Sequence, residues 1–434
     1  MILSVITPTH DPSKLAEAWV SLRDQTHQDF EWVIVVNGAR DFSAWVRELV
    51  QNDNRVAVVS HGGFSGVGAA KKFAFGLGVG EVLVELDHDD ILMPTALEEV
   101  AKAFEDPSVG FVYSDAADFQ DGAIAQGDVT YLRDDTRPGW VKNGFTFRTE
   151  TVGGVRPGTY EMPNAFPPTA AALSLIFYAP NHVRAWRRSV YQEIGGHDAS
   201  LPVADDHDLM LRTYLATRMK HIPKLLYLYR VTGGNTWLQN VNTIRDLTFK
   251  LRDEYLERLV LRECELLGMP VYDLGGGIDP REGWTPVDKN FGIMTKPYVW
   301  ANLEEPRWPF EDGSVGAFRA HDLLEHLPDK QNTMREIHRC LRPGGWLLSM
   351  TPSTDGRGAF QDPTHVSYWN SNAFWYWTRR EQARYIGNES VRFQAAQLDN
   401  VMPSPWHAEH NIPYVRANLV ALKGDYAGPG ESHI

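Results

Sequence analysis

Short apolar runs alternate with helix-like segments along the first part of this chain. Runs at residues 3–7, 32–36 and 55–59 have the composition of buried strands, and residues 15–22 show the apolar spacing of a helix. Strands that alternate with helices are typical of a parallel sheet covered by helices on both faces. The sequence therefore predicts an α/β fold built on a doubly wound sheet.

A further apolar run, residues 82–86, ends in a group of carboxylates: Asp87, Asp89 and Asp90. Ligands of α/β sheets bind at the carboxyl ends of the strands, and crowded carboxylates repel one another unless a positive charge lies between them. A divalent cation that holds a diphosphate would meet this need. The alternative is an acidic loop that caps the helix expected to begin near residue 93.

A glycine-rich turn lies between the third strand and the acidic one. Gly66 and Gly68 open a predicted helix that contains Lys71. The N-terminus of a helix can bind a phosphate, and a nearby lysine can assist, so Lys71 is a candidate for contact with a bound phosphate. The same glycines would also permit close packing, and the turn alone leaves both interpretations open.

Composition limits the classes of partner. The chain has 434 residues, a formal charge of −14 and a pI near 5.5, and it lacks a Lys/Arg block that could neutralise the phosphates of a nucleic acid. We find no apolar run of membrane-spanning length and no signal-peptide pattern at the start. Cys264 and Cys340 form neither a metal motif nor a disulfide framework. These features predict two or three domains in the cytoplasm, without nucleic acid or a membrane span. They leave the formation of an oligomer open.

Several motifs of the first 235 residues occur in a specific order. They are strand-Pro-Thr, Val-Val-Asn-Gly, Gly-x-Gly-Ala-Ala-Lys, Leu-Asp-His-Asp-Asp, Val-Tyr-Ser-Asp, Ile-Gly-Gly-His-Asp and Asp-Asp-His-Asp-Leu-Met-Leu-Arg. The ordered set resembles the inverting GT-A glycosyltransferases of family 2. The resemblance implies metal-dependent transfer of a sugar from a nucleotide-diphosphate donor to a glycan, lipid-linked or protein acceptor.

The resemblance also assigns the nucleoside side of the donor site. Thr7, Pro8 and Thr9 would line the base and the ribose. Asn37 stands where the family usually has an aspartate that reads the base. This departure leaves the identity of the base open.

Further site residues follow from the same resemblance. Asp87 and Asp89 match the Asp-x-Asp pair that holds Mn²⁺ or Mg²⁺ with the diphosphate, and hard cations prefer oxygen ligands. Asp206 falls at the general-base position, with helix capping as the alternative for this residue. Asp205 could cap the helix while Asp206 faces the cleft. His182 would contact the metal, the diphosphate or the acceptor, or else would be a hydrogen-bonded structural residue.

Two segments connect these motifs to the rest of the chain. Residues 120–180 are rich in glycine, proline and aromatics, which suits either an acceptor-covering loop or ordinary loop packing. Residues 243–267 keep helical spacing over many turns. We therefore predict a GT-A domain at 1–238, a helical connector at 239–268 and a second domain at 269–434.

The second half also begins with a nucleotide-binding pattern. Residues 271–277 read as a strand that enters a glycine turn, and residues 284–288 as a strand that ends in an acid. A strand at 315–321, a helix at 329–341 and the motif Leu-Arg-Pro-Gly-Gly-Trp follow. Together with Leu-Leu-Glu-His-Leu, these features resemble class I S-adenosylmethionine-dependent methyltransferases over residues 270–380. The predicted architecture is therefore two Rossmann-like domains, a GT-A fold followed by a class I methyltransferase-like fold.

This second resemblance assigns a cofactor site. Asp273, Gly275 and Gly277 would contact the methionine part of S-adenosylmethionine, Asp288 would contact the ribose, and His321 would lie beside the transferred methyl group. The site residues therefore follow the carboxyl ends of the predicted strands.

The C-terminal half departs from its family in two places and carries one further candidate. Asp279 replaces the usual third glycine. The interval from Gly277 to Trp284 is too short for a full crossover helix, so the first helix should be missing or reduced. His365, in Phe-Gln-Asp-Pro-Thr-His, is a candidate base for a sugar hydroxyl, with loop stabilisation or helix capping as the alternative.

Two functions follow for the second half. In the first, it is an S-adenosylmethionine-dependent O-methyltransferase that acts on the sugar product of the first half. In the second, the protein is a glycosyltransferase of single activity, whose methyltransferase-like domain is a non-catalytic acceptor-binding or scaffold module. A lectin-like or scaffold role for the whole chain is the non-enzymatic alternative.

Overall fold

The computed structural model divides into two compact units, Met1–Tyr255 and Leu256–Ile434. The residues that the structure describes are 1–121, 146–176, 180–232, 236–277, 281–290, 298–424, 426 and 428–429, with 236–239 described as backbone only. Among the described residues, no helix combines the length and the apolar character that crossing a membrane would require.

The N-terminal unit is built on an eight-stranded sheet with the order β3-β2-β1-β4-β9-β6-β10-β5. Its strands and those of a separate hairpin, β7 and β8, are β1 (Leu3–Thr9), β2 (Phe30–Asn37), β3 (Val56–His61), β4 (Val82–Glu85), β5 (Ile91–Leu92), β6 (Val109–Phe119), β7 (Phe147–Val152), β8 (Gly158–Pro163), β9 (Arg184–Arg187) and β10 (Arg218–Arg230). The helices of this unit are α1 (Leu15–Arg23), α2 (Ser43–Leu49), α3 (Val67–Leu77), α4 (Ala96–Ala103), α5 (Ala170–Leu175), α6 (Arg188–Glu193) and α7 (Asp205–Ala216).

The first half of this sheet is parallel, as the alternation of strands and helices predicts. β1 pairs in parallel with β2 and β4, and β2 pairs in parallel with β3. The second half is mixed, because β9 runs antiparallel to both β4 and β6. Strand β9 arrives from a long segment after β6 rather than from a crossover helix, and the local alternation does not predict this insertion.

Apolar side chains on the parallel strands form the core of the N-terminal unit. Leu3, Val5, Trp32, Ile34 and Val84 are fully buried in one cluster together with residues of α1 and α4. Strands buried on both faces read as continuous apolar runs, which is why they are visible in the sequence. The core fixes the ends of these strands, where the polar residues of interest begin.

A long helix, α8 (Thr236–Leu267), follows β10 and contains the boundary between the two units. Its backbone leaves the helical region at Asn240, where φ is −122° and ψ is 19°. The helical spacing seen in residues 243–267 is therefore present in the structure as a helix.

The C-terminal unit contains a seven-stranded sheet with the order β13-β12-β11-β14-β15-β17-β16. Its strands are β11 (Val271–Leu274), β12 (Thr285–Asp288), β13 (Val299–Trp300), β14 (Val315–His321), β15 (Leu341–Pro352), β16 (Arg392–Val401) and β17 (Tyr414–Leu422). The first five in spatial order are parallel, and β17 pairs antiparallel with β15 and β16. Parallel strands place their carboxyl ends at one edge of the sheet, where a ligand can bind.

The helices of the C-terminal unit cover this sheet. They are α9 (Lys330–Cys340), α10 (Gly358–Gln361), α11 (Ser371–Thr378), α12 (Arg380–Ala383) and α13 (Pro405–Glu409), with short 3₁₀ turns at Leu324–His326 and Arg384–Ile386. The Asp329 side chain caps α9 by accepting a hydrogen bond of 2.9 Å from the backbone N–H of Asn332. Between β11 and β12, the described residues form turns, in agreement with the predicted loss of the first crossover helix.

Candidate active site

A cleft of about 750 Å³ lies at the carboxyl edge of the N-terminal sheet. Most of the predicted donor-side and base residues line it, namely Pro8, Thr9, Asn37, Lys71, Asp87, Asp89, His182 and Asp206. These residues come from six separate stretches of the sequence. The sheet therefore gathers them as the order of the motifs suggests.

The acidic turn after β4 separates its carboxylates into two environments. Asp87 and Asp89 line the cleft, with side chains 30% and 24% exposed, whereas Asp90 is buried. The Oδ2 atom of Asp90 accepts a hydrogen bond from the Tyr227 hydroxyl at 2.8 Å, and its Oδ1 accepts one from the Arg230 N–H at 2.7 Å. The Tyr227 hydroxyl also accepts a hydrogen bond from the Asp87 N–H at 3.1 Å. Asp90 therefore fixes the turn, and the other two acids face the cleft.

The capping alternative for this acidic turn does not describe its geometry. The strand β5 separates the acids from α4, and the N-cap of α4 is Thr95, without a side-chain hydrogen bond. The carboxylates of Asp87 and Asp89 are thus left for another role.

A buried network of charges supports the floor of the cleft. Glu85, at the end of β4, forms ion pairs with Lys71 Nζ and, at 3.8 Å, with Arg184 Nη1. Lys71 Nζ also lies 3.7 Å from Asp87 Oδ1. Burial raises the pKa of Glu85, but the charges of Lys71 and Arg184 lower it by more than burial raises it. The pKa of Glu85 therefore lies below its usual range. This side of the cleft therefore carries two buried cations that attract negatively charged ligands.

Asp206 is the carboxylate of helix α7 that reaches the cleft. Its Oδ2 accepts a hydrogen bond of 2.9 Å from Arg184 Nη1, and its side chain remains 35% exposed. Burial raises its pKa, but Arg184 and Lys71 outweigh this effect and leave the pKa below its ordinary value. The group is therefore ionised near neutral pH, as a proton acceptor must be.

The neighbouring Asp205 behaves in the opposite way. It is buried, and its Oδ2 finds no hydrogen-bond partner among the described residues. Burial and the negative charge of Asp206 raise its pKa to about 7. The N-cap of α7 is Ala204, without a side-chain cap. Adjacent acids thus have separated pKa values, a pattern associated with acid–base sites.

His182 packs flat against the aromatic rings of β10. Its ring stacks on Tyr227 with a centroid distance of 4.5 Å and lies 6.0 Å from that of Tyr229. Burial and the charge of Arg184 lower its pKa to about 4, so the ring is neutral near pH 7. Its Nδ1 atom is buried without a hydrogen-bond partner among the described residues. His182 thus lines the cleft as a neutral group.

The nucleoside candidates lie at the ends of β1 and β2. Asn37 lines the cleft, and within the described part of the chain its buried Oδ1 has no hydrogen-bond partner. Thr7 is fully buried, where its hydroxyl donates to the Leu86 carbonyl at 2.8 Å and accepts from Trp32 Nε1 at 2.8 Å. The structure therefore places Thr7 next to the start of the acidic turn, while Pro8 and Thr9 line the cleft.

The residues of the acidic turn fit a hard divalent cation. Asp87 and Asp89 offer partly exposed carboxylate oxygens, which are the donors that Mg²⁺ and Mn²⁺ prefer. Beneath them, Glu85 is fully engaged by cations, so it adds little repulsion at the cleft surface. We conclude that the side chains present can hold such an ion together with a diphosphate.

The C-terminal unit has its own polar edge, where the glycine turn follows β11. Gly275 adopts φ +71°, which glycine tolerates best, and an added Cβ would lie 2.9 Å from Leu323 Cδ1. A Cβ at Gly277 would lie 2.7 Å from Asp288 Oδ2. This close approach of a bare backbone to the acid after β12 fits a nucleoside ligand of the predicted kind.

Asp273 and His321 are engaged by one arginine. Asp273 on β11 pairs in register with Arg319 on β14, and Arg319 Nη1 donates to Asp273 Oδ1 at 2.8 Å. Arg319 Nη2 lies 2.8 Å from His321 Nδ1. Burial and the Arg319 charge lower the pKa of His321 to about 3, so this ring is neutral and accepts the hydrogen bond. The Asp273 carboxylate is therefore already neutralised within the protein.

His365 lies in the loop after α10. Its Nδ1 is 3.0 Å from the Ala359 carbonyl oxygen, and its Nε2 is 3.9 Å from Glu325 Oε1. The ring is thus oriented by a loop carbonyl and faces a buried acid.

Two family models match the chain. The model described as Glycosyl transferase family 2 matches residues 4–195, and the model described as Methyltransferase domain matches residues 277–349. The chain carries a family 2 glycosyltransferase domain followed by a methyltransferase domain. The predicted GT-A and class I methyltransferase-like folds of these two α/β units are therefore confirmed.

Curated relatives of the glycosyltransferase domain are distant and often much longer. The chain is 27% identical over 234 residues to the O-antigen biosynthesis protein RfbC of Myxococcus xanthus. This match covers 52% of this chain and 16% of that protein. It is 24% identical over 265 residues to a chondroitin synthase of Escherichia coli, covering 60% and 34%. The chain thus spans about a third or less of these two relatives.

Solved structures also resemble part of the chain. The structure of S. aureus TarS 1-349 in complex with UDP-GlcNAc has a TM-score of 0.41 and 17% identity, and the match covers 61% of this chain and 73% of that one. Mannosyltransferase PcManGT from Pyrobaculum calidifontis, in complex with GDP-Man and Mn2+, has a TM-score of 0.36 and 17% identity, covering 61% and 64%.

Several residues of the glycosyltransferase site are absent from the sequence-based assignment. Glu85, Arg184 and Tyr227 all contact a predicted site residue, yet no short motif marks them as a group. One signal was available, because an acid inside an apolar strand requires a buried cation as partner. Within the predicted acceptor loop, residues 122–145 and 177–179 lie outside the described residues, as does Asp279 in the C-terminal glycine turn.

Proposed function

We propose that residues 1–238, which lie within the N-terminal unit, form a metal-dependent inverting glycosyltransferase domain that uses a nucleotide-diphosphate sugar. The observation that carries this proposal is the presence of two cleft-facing carboxylates, two buried cations and an ionised aspartate in one cleft, formed by Asp87, Asp89, Lys71, Arg184 and Asp206. The family model supports the sugar-transfer chemistry.

Each residue has a defined part in this reaction. Asp206 accepts the proton of the acceptor hydroxyl, whose oxygen forms a bond to the anomeric carbon. The bond between that carbon and the diphosphate oxygen breaks, and its electron pair leaves with the nucleoside diphosphate. Asp87 and Asp89 would hold Mn²⁺ or Mg²⁺, which supplies charge stabilisation to the leaving diphosphate when bound. Displacement from the opposite face inverts the configuration of the sugar.

The nucleotide base of the sugar donor would be recognised by a hydrogen-bond-accepting oxygen of the protein. The unpartnered Asn37 Oδ1 can accept a hydrogen bond from a ring N–H or an amino group of the base. Pro8 and Thr9 would form the adjacent wall. The acceptor is proposed to be a glycan or a glycosylated lipid or protein, and the names of the relatives RfbC and chondroitin synthase agree with a glycan.

Donor hydrolysis tests this function directly. We would incubate the full chain with Mn²⁺ and a panel of UDP-, GDP-, dTDP- and CDP-sugars and measure release of the nucleoside diphosphate. Asp89→Ala should abolish metal-dependent release, and Asp106→Ala, at an exposed site outside the cleft, should retain it. Absence of both turnover and Mn²⁺-dependent nucleotide binding in the wild type would favour a non-enzymatic scaffold.

A second activity is proposed for residues 269–434, which follow a helical connector at 239–268. The methyltransferase family model and the close approach of Gly277 to Asp288 favour S-adenosylmethionine-dependent O-methylation of the sugar product. Gly275 and Gly277 would let the cofactor approach the backbone closely, and Asp288 would accept hydrogen bonds from its ribose hydroxyls. His365 would accept the proton of a sugar hydroxyl at Nε2 when no metal ion occupies that atom. When bound, S-adenosylmethionine supplies the methyl group.

Calorimetric titration of the full chain with S-adenosylmethionine separates this activity from its alternative. Saturable heat that is reduced by Asp288→Ala would support the cofactor site. Heat indistinguishable from buffer would support a non-catalytic acceptor-binding or scaffold module. Because Arg319 already occupies the Asp273 carboxylate, we expect S-adenosylmethionine to bind more weakly than it would to a site with a free carboxylate at this position.

A further inference from the structure

Three potential metal ligands converge at the carboxyl edge of the C-terminal sheet. Glu325 and His326 lie in the 3₁₀ turn after β14, and His365 comes from the loop after α10. One ligand atom from each residue lies within 4.8 Å of the others. This cluster, named here the Glu-His-His cluster, is separate in sequence and in chemistry from the acidic turn of the N-terminal unit.

Each histidine of the cluster has a backbone carbonyl oxygen beside its Nδ1 atom, and His326 Nδ1 also lies 3.3 Å from the Thr364 hydroxyl, which itself donates to Asp362 Oδ1. His326 Nδ1 lies 3.1 Å from the Thr364 carbonyl oxygen, and His365 Nδ1 lies 3.0 Å from the Ala359 carbonyl oxygen. A carbonyl oxygen only accepts hydrogen bonds, so each Nδ1 carries the proton and each Nε2 is left with its lone pair. Metal-binding histidines are commonly oriented by such a hydrogen bond from the other ring nitrogen.

Glu325 supplies the third ligand and lacks a partner on one oxygen. The residue is 2% exposed, and Oε1 has no hydrogen-bond partner among the residues described by the structure. Oε2 accepts a hydrogen bond from the Thr351 hydroxyl. A buried carboxylate oxygen without a partner is costly, and an ion at Oε1 would remove that cost.

We propose that the Glu-His-His cluster binds a divalent transition-metal ion of the Zn²⁺ class. Two imidazole nitrogens and one carboxylate oxygen form a donor set that Zn²⁺ takes in proteins and that hard Mg²⁺ does not favour. The remaining coordination position is open to water or to Asp362, whose Oδ2 lies 4.0 Å from His365 Nε2.

The three ligand atoms lie within 4.8 Å of one another, so a bound ion would draw each pair together by about 1.5 Å or less. Two ligands that bind Zn²⁺ at about 2.0–2.1 Å in a tetrahedron lie about 3.3 Å apart. His365 Nε2 and Glu325 Oε1 are 3.9 Å apart, so this pair must approach by about half an ångström. The His326 ring is partly exposed and has room to adjust.

Zinc titration of the full chain tests the proposal. Asp89→Ala would serve as the background, because it removes the other candidate metal site. After removal of metal with a chelator, calorimetry with Zn²⁺ should give about one bound equivalent, and Co²⁺ should give visible absorption bands typical of nitrogen and oxygen ligands. Neither readout depends on sugar or methyl transfer, so failure of the proposed enzymatic functions would leave this test valid.

Variants of the three ligands assign the binding to this cluster. His326→Gln and His365→Gln should each weaken Zn²⁺ binding more than the roughly 10–100-fold expected for loss of an outer hydrogen bond. Thr351→Val should fall within that 10–100-fold range, since it removes only the partner of Glu325 Oε2. His410→Gln, at a partly exposed histidine of the same unit, should bind as the background does.

Two results would overturn the proposal. One is the lack of a saturable Zn²⁺ or Co²⁺ signal in the background protein. The other is a signal that His326→Gln, whose ring is partly exposed, leaves unchanged while circular dichroism shows a native fold. His326→Gln keeps the test decisive if the more buried His365→Gln variant fails to fold.

Discussion

The two sheets place their acidic residues differently with respect to cations. In the N-terminal unit, Lys71 and Arg184 neutralise Glu85 inside the protein, and the carboxylates of the following turn remain directed at the cleft. In the C-terminal unit, Arg319 neutralises Asp273, the predicted ligand-binding acid itself. The same type of ion pair therefore leaves ligand-binding groups available in one sheet and occupies one in the other.

This difference shows that the position of a cation decides what an acidic motif can bind. A cation below the acidic turn reduces repulsion among the carboxylates and attracts a diphosphate. A cation beside the acid of β11 competes with a ligand for the same oxygen atoms. The following variants test this comparison, beginning with the largest expected effect.

Removing the ionised aspartate of the N-terminal cleft should have the largest effect. Asp206→Asn keeps the size of the side chain but removes the proton acceptor, so kcat for sugar transfer should fall by about 10²–10⁴-fold. Binding of the nucleoside diphosphate with Mn²⁺ should change little. Steady-state kinetics and calorimetry measure the two quantities, with the exposed Asp106→Asn as control. Retention of kcat within about tenfold would contradict the assignment, given that expected range.

Removing the cation of the C-terminal pair should reduce stability strongly. Arg319→Met leaves the buried Asp273 without its countercharge, at a cost of about 3–5 kcal/mol in the free energy of unfolding. The double variant with Asp273→Asn should recover most of this loss. Urea unfolding measures the effect, and Arg416→Met, which breaks the more exposed pair with Asp399, should cost about 0–1 kcal/mol.

One outcome of the Arg319 experiment would contradict the role of the charge. If the double variant is no more stable than Arg319→Met, the loss arises from packing of the arginine rather than from the uncompensated charge.

The raised pKa of Asp205 predicts a pH-dependent stability. The folded state holds its proton to about pH 7, whereas the unfolded state loses it near pH 3.8, so Asp205 destabilises the fold as pH rises through this window. Asp205→Asn should therefore gain stability over the wild type between pH 5 and 7, by at most about 1.4 kcal/mol per pH unit. Thermal unfolding at several pH values measures this gain. A pH-independent difference would show that Asp205 does not hold the proton.

The smallest effect is expected from the hydroxyl that ties the acidic turn to β10. Tyr227→Phe removes the partner of the Asp87 N–H and of Asp90, and should cost about 1–3 kcal/mol of stability. Mn²⁺ affinity should fall by roughly tenfold as the orientation of the turn loosens. Tyr160→Phe, whose hydroxyl donates to the Arg156 carbonyl, is the matched control. Equal Mn²⁺ affinity in both variants would contradict the prediction, because it would show that the Tyr227 hydroxyl does not orient the acidic turn for metal binding.

Much of the fold and of the cleft could be predicted from the sequence because their signals are local. The strand over residues 315–321 and the residues that follow β4 were predicted at their observed positions, since apolar runs and the acids that end them lie next to each other in the chain. Strand β9 and the mixed half of the sheet could not be predicted in this way, because antiparallel insertion depends on the path of a long connection.

The ionic partners of the sites required the structure. Asp87 and Tyr227 are 140 residues apart, and Arg184 contacts Asp206 across 22 residues. Arg319 reaches Asp273 only because β11 and β14 pair in register. Such contacts depend on which strands become neighbours, and local propensity carries no information about that choice.

The ring of Tyr227 has a further consequence for how the cleft meets its first ligand. Its hydroxyl forms hydrogen bonds with both ends of the acidic turn, and the face of its ring stacks against His182. The conformational freedom of these groups is lost when the chain folds, so an arriving ion would not need to order them again. Cation capture should consequently proceed on a preformed template, with a small entropic barrier and little rearrangement of the backbone.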